Sequence, residues 1–108
     1  MSNDIRKNLR EAGNYFNKAI DATKLAEVTF PNLMKARKDA QFTEAPKFAA
    51  KLWKEAEEKF KDAAIELEDG DVNDAKEEAG EAETLYRQSE LAAIKVNYLD
   101  ETRKLLKQ

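Results

Sequence analysis

Apolar and small side chains recur at Ile5, Leu9, Ala12, Phe16, Ala19, Thr23, Ala26 and Phe30. The steps alternate between 4 and 3 residues, which lines one face of a helix in a heptad seam. Asn3 or Asp4 supplies an N-cap. Pro31 lacks a donor N–H and biases Phe30 away from helical angles, so this first helix is expected to end near Val28. A short second helix follows from Asn32 to about Gln41, with Leu33, Ala36 and Ala40 on one side.

The next break is Phe42-Thr43-Glu44-Ala45-Pro46. With Thr43 as N-cap and Pro46 in the first turn, a third helix of roughly 38 Å is predicted. Its inward stripe is Ala49, Leu52, Trp53, Ala56, Phe60, Ala63, Ala64 and Leu67. Glu68-Asp69-Gly70-Asp71 ends it, with Gly70 suited to a left-handed C′ position and Asp71 to capping the next helix. The fourth helix is expected from Val72 to about Leu106, roughly 52 Å. Its first half carries a thin stripe, Ala75, Ala79, Ala82, Tyr86 and Ser89. From Leu91 through Ala92, Ala93, Ile94, Val96, Tyr98 and Leu99 the apolar positions spread around the helix, which predicts burial on several sides there.

The fold class is therefore all-α. One domain over residues 1–108 forms an antiparallel helical bundle of three long helices and one short helix, with a long C-terminal helix. Residues around Leu9 and Phe16 echo those around Trp53 and Phe60 at an offset of 44. Duplication of a helical unit and the shared habits of two Ala-rich amphipathic helices both account for the echo.

Composition sharpens this picture. There are 17 Ala against 24 Leu, Ile, Val, Phe and Met, and nearly all the Ala lie on the seams, where small side chains let helices approach closely. Three Gly and two Pro exclude a turn-rich all-β chain. No run of 18 apolar residues exists, so no membrane span is expected. Residues 1–7 lack the apolar stretch of a signal peptide, which leaves two readings, a cytoplasmic protein or an exported one without its leader.

Charge is sorted along the chain. Residues 1–54 hold 11 Lys/Arg and 6 Asp/Glu, a net of +5; residues 55–108 hold 8 and 16, a net of −8. Thirteen carboxylates fall between Glu55 and Glu83, a face that repels nucleic acid and anionic headgroups. Arg6-Lys7-Arg10 and Lys35-Arg37-Lys38 are too small for a nucleic-acid footprint and fit better as complements to the acidic helices or to a partner.

The absence of His and Cys removes His-based acid/base chemistry, Cys nucleophiles, disulfides and zinc sites built on those ligands. Asp69-Gly70-Asp71-Val72-Asn73-Asp74 opens like a calcium loop, but the sixth and twelfth positions are Asp74 and Gly80 rather than Gly and Glu. Glu77/Glu81 and Glu78/Glu81 have the spacing of diiron bundles without the Glu-x-x-His motifs. No enzyme, cofactor or metal is expected. Trp53, Tyr86, Tyr98, Glu77 and Glu81 are the candidate partner contacts; for Trp53 a core anchor is the competing reading. The hydroxyls of Tyr86 and Tyr98 are expected at the bundle rim, and the long C-terminal helix is a candidate surface for homo-oligomers.

Several runs carry a resemblance. They are Glu44-Ala45-Pro46-Lys47-Phe48-Ala49, Ala56-x-x-x-Phe60-x-x-Ala63, Leu67-Glu68-Asp69-Gly70-Asp71-x-x-x-Ala75, and then Ala79, Ala82, Tyr86-Arg87 and Glu90-Leu91-Ala92-Ala93-Ile94-Lys95. Across residues 33–105 this resembles the Ala-rich helical-hairpin domains of bacterial envelope lipoproteins, which often precede an OmpA-like peptidoglycan-binding domain. The resemblance implies a non-enzymatic spacer, scaffold or protein-interaction module in the periplasm or cell envelope, its protein partner unidentified. The alternative is a cytoplasmic tetratricopeptide-like adaptor that binds a peptide in a Tyr- or Asn-lined groove.

Overall fold

The computed structural model describes residues 23–107, and its regular structure is helical, with no strand among those residues. Helix α1 covers 23–29, α2 Pro31–Phe42, α3 Ala45–Phe48, α4 Ala50–Glu68 and α5 Val72–Lys107. Most of the expected first helix, with its seam from Ile5 to Ala19 and the basic group Arg6-Lys7-Arg10, lies outside the described residues. The long C-terminal helix is α5, whose 36 residues span roughly 54 Å.

Pro31 acts at a single residue. Phe30 leaves helical angles (φ −120°, ψ 71°), and Pro31 then opens α2, where its missing N–H costs nothing. The Phe30 N–H still donates to the Ala26 carbonyl (2.8 Å) and its own carbonyl accepts from Met34 (3.2 Å). The chain bends there with few unpaired groups.

The continuous third helix is not observed. Thr43 does not cap it: its hydroxyl donates back to the Ala40 carbonyl at 2.9 Å, closing α2. Glu44 takes a left-handed conformation (φ 61°), a single turn follows as α3, and Ala49 (φ −136°, ψ 48°) breaks the helix again. What the interruption achieves is burial. Ala45 is completely enclosed, and Phe48 and Ala49 pack against the core. Helix α4 is accordingly 19 residues, roughly 28 Å.

The turn after α4 matches its sequence. Gly70 has φ +90°, where a side chain would be strained. Its N–H donates to the Leu67 carbonyl (3.1 Å), and that of Asp71 reaches Glu66 (2.9 Å), the paired bonds of a Schellman motif. The Asp71 carbonyl then accepts from Ala75 at 2.9 Å and starts α5.

Helices α4 and α5 run antiparallel, tied by Lys59 to Glu81 (2.9 Å) and by Tyr86 to Glu57 (2.6 Å). Helix α2 lies alongside α5 in the same direction, because Asp39 meets Arg87 (2.9 Å) and the Thr43 carbonyl meets Asn97 (3.3 Å). The enclosed surface is mostly Ala: Ala36 and Ala40 from α2, Ala56, Ala63 and Ala64 from α4, Ala75, Ala79, Ala82 and Ala93 from α5. Leu33, Phe60 and Tyr86 supply the bulk. With so many methyl groups facing each other, the helices reach van der Waals contact only by close approach. Buried Ser89 satisfies its hydroxyl on the Tyr86 carbonyl at 2.7 Å.

Two expectations about burial are corrected. Leu52 is half-buried and stands outside the core cluster, whereas Ala49, Trp53 and Leu67 pack against its edge. The apolar segment after Leu91 is not surrounded. Ala93 alone is buried there, while Leu91 is 53% exposed and Tyr98 69%. The physical reason is reach. The last polar contact from α5 to another described element is at Asn97, and over residues 98–106 only Thr102 is even partly covered.

Candidate functional site

The interior polar cluster joins three helices. The Glu57 carboxylate of α4 accepts from the Arg37 guanidinium of α2 (Nε to Oε1, 2.7 Å) and from the Tyr86 hydroxyl of α5 (2.6 Å). Arg37 lies 5.8 Å from the ring centre of Trp53 and 5.6 Å from that of Phe60, a cation held over two aromatic faces. Trp53 meets Tyr86 edge to face, with centroids 5.2 Å apart. Burial, then the Glu57 carboxylate, push the Tyr86 phenol far above its ordinary pKa, and Glu57 raises Arg37. The phenol is thus held protonated as a donor and the guanidinium charged. The arrangement is a structural clamp between α2, α4 and α5.

A shallow cleft of about 400 Å³ opens beside this cluster. Its rim includes Thr23, Lys54, Glu58 and Lys61. A peptide groove of the tetratricopeptide kind calls for Tyr or Asn on its wall. Neither lines this cleft, whereas Asn32 lines a second one of about 220 Å³ between α2 and α5.

The second concentration of charge is the hairpin tip. The Glu66 carboxyl, with one oxygen buried and unpartnered, has its pKa raised by desolvation and then by Glu78, Asp74, Asp62 and Asp71. Lys59 bridges Glu78 (3.3 Å) and Glu81 (2.9 Å), and those carboxylates raise its own pKa. No group of carboxylates among the described residues is arranged to hold a metal ion.

Glu66 carries a pH prediction. A carboxyl whose folded pKa exceeds its unfolded value binds a proton more readily when folded, so stability rises as pH falls toward the ordinary carboxylate range. Asp39, held below its usual value by Lys35 and Arg87, acts oppositely: its contribution is lost only on further acidification. The melting temperature should therefore rise on mild acidification from neutrality and then fall. Glu66→Gln should raise it at pH 7 and flatten the rise. A wild-type midpoint that falls steadily from pH 7 in calorimetry would contradict this.

The residues singled out by sequence are dispersed. Trp53 sits half-buried at the edge of the core, and Tyr86 is fully enclosed rather than at a rim. Glu77 and Glu81 are exposed on α5, Glu81 in its ion pair with Lys59. Tyr98 is exposed twelve residues beyond Tyr86, roughly 18 Å along the helix. Arg37, in a basic run expected to complement the acidic helices, does so by meeting Glu57; which carboxylate it meets, and the Asp39–Arg87 pair, separated by 48 residues, follow from the packing.

No protein-family model matches the chain, and comparison with curated proteins and with solved structures gives no match.

Proposed function

We propose that this chain is a non-enzymatic spacer or protein-interaction module of a bacterial cell envelope. In this reading the helices form the antiparallel bundle that the sequence pattern predicts. The observation that carries the reading is the α4–α5 hairpin, an Ala-lined pair ending in a turn surrounded by Glu66, Asp69, Asp71 and Asp74. The resemblance to lipoprotein hairpin domains and the lack of His and Cys point the same way. Its mechanism is display: the hairpin presents a dense negative tip, to which a basic protein surface is attracted by the field.

Photo-crosslinking in a bacterium that naturally encodes the chain tests this, with the reactive residue placed at the exposed position Glu77. A discrete adduct in the envelope fraction is expected, lost when Asp71→Lys and Asp74→Lys are added to the probe-bearing chain. No adduct, or one confined to the cytoplasm, would remove the proposal.

A further inference from the structure

A heptad seam runs along the outer face of α5. Glu77, Gly80, Thr84, Leu91, Tyr98 and Leu105 recur at steps of 3, 4 and 7, and all are exposed. On an α-helix they fall within roughly 80° of arc. Ala75, Ala82 and Ala93, which enter the core, lie on the opposite side of the same helix.

The seam has two unlike halves. The first is recessed: Gly80, Glu81, Thr84, Leu85 and Gln88 line a cleft of about 520 Å³, together with Lys59 of α4. The fold itself does not need a glycine there. A Cβ at 80 would meet nothing within 4 Å among the described residues, and glycine is less favourable than alanine in a helix interior. What the missing side chain allows at an exposed position is close approach from outside. The second half projects. Leu91 is 53% exposed, Tyr98 69% and Leu105 70%, and Lys95 stands within the same arc. Charge divides at the same point. Residues 72–90 carry 2 basic and 6 acidic side chains, a net of −4, whereas residues 91–107 carry 4 and 2, a net of +2.

Both halves are matched by a second α5 running the other way. Parallel pairing sets the acidic half on the acidic half and Lys95 on Lys95. Antiparallel pairing, with Leu91 of one copy level with Gln88 of the other, sets Tyr98 level with Gly80 and Glu81. It also brings Lys95 within one turn of Glu81, on the same flank of the seam. The two-fold axis repeats each contact, so both projecting halves are received at once. An anionic surface suits Lys95 alone and is repelled by Glu77 and Glu81.

We propose that the outer face of α5 is a self-association surface, on which a second copy pairs antiparallel with Tyr98 over Gly80 and Lys95 beside Glu81. The proposal is independent of the acidic-tip reading: the turn from Glu66 to Asp71 lies beyond the overlap of residues 74–105, and the purified chain alone tests it. A Glu77 crosslink between two copies has twice the chain's mass, which separates it from an adduct with a different protein.

Sedimentation equilibrium of the full chain is the test. A reversible monomer–dimer equilibrium is expected, weakened by added salt. Lys95→Glu and Glu81→Lys should each raise the dissociation constant at least about tenfold. Combined in one chain they should restore most of the affinity, because the pair re-forms with its charges exchanged. Gly80→Leu should weaken the dimer by a similar factor while circular dichroism shows the helices intact, since the space it fills is outside the fold. Phe42→Glu, at an exposed position of α2, should leave dimerisation unchanged. A chain that stays monomeric up to about millimolar concentration overturns the proposal. So does a dimer indifferent to Gly80→Leu, or one lost on both charge reversals and not regained when they are combined.

Discussion

Phe60→Ala should destabilise the protein by about 3–5 kcal/mol, as expected for truncating an enclosed aromatic side chain. Phe60 is 6% exposed, and most of its neighbours in the core cluster are Ala. Methyl groups cannot swing into the space a lost ring leaves, so the cavity stays open and the full cost is felt. The change also removes one of the two rings beneath Arg37. Urea unfolding should show a lower midpoint with an unchanged slope. Leu52→Ala provides the contrast: half-buried and outside the cluster, it should cost well under half as much. Equal losses at the two positions would mean that α4 does not present this face inward.

Glu57→Ala should cost about 2–3 kcal/mol, although Glu57 itself is partly exposed. The loss falls mainly on the groups left behind. The Tyr86 hydroxyl, buried in a side chain with no exposed surface, loses its acceptor, which alone is worth about 1–3 kcal/mol. Arg37 keeps its two aromatic neighbours and some solvent access, so its share is smaller. Tyr86→Phe removes donor and demand together and should cost only about 1 kcal/mol. In the double variant the two losses should add to less than their sum, because the second change removes the group stranded by the first. Strict additivity, measured by urea unfolding of all four proteins, would show that the short Tyr86–Glu57 contact contributes nothing.

Both expectations depend on a cluster that the sequence marks only in part. Phe60 was legible on the inward stripe of α4, since apolar spacing at helical period shows which face is buried. Tyr86 was legible as part of the Ala75–Ser89 stripe, and the structure encloses it with the rest of that stripe. Its hydroxyl does not lie at the expected rim. A rim position suits a Tyr in general, but Glu57 reaches it here from the neighbouring helix. Arg37 lies within a basic run that the sequence matches to the acidic helices in general, and the approach of α2 to α4 selects Glu57 as its partner. The candidate contacts fared according to the same logic: Glu77 and Tyr98 are exposed, while Trp53 and Tyr86 serve the interior.

Local chemistry explains the rest of what could be read directly. Proline at 31 and glycine at 70 act through backbone torsions that involve no distant residue, and the α2 start and the α4–α5 turn fall where those residues put them. The break at Ala49 had no such marker. Alanine is the best helix former, and it leaves the helix because enclosing Ala45 and Phe48 against the core outweighs one turn of propensity. The apolar spread after Leu91 shows the reverse error. Period and composition state that a side chain is apolar and on which side of its helix it lies, but burial also requires a neighbour.

Torsions, period and residue type, all local to the chain, specify that this protein is helical, where most of its helices begin and end, and that it holds no His or Cys chemistry. Packing between helices sets the rest: the Tyr86–Glu57 contact that locks the hairpin and the exposure of the apolar side chains between Leu91 and Leu106. Those outcomes depend on how far α2 and α4 extend along α5, and no stretch of one helix encodes where its neighbour stops.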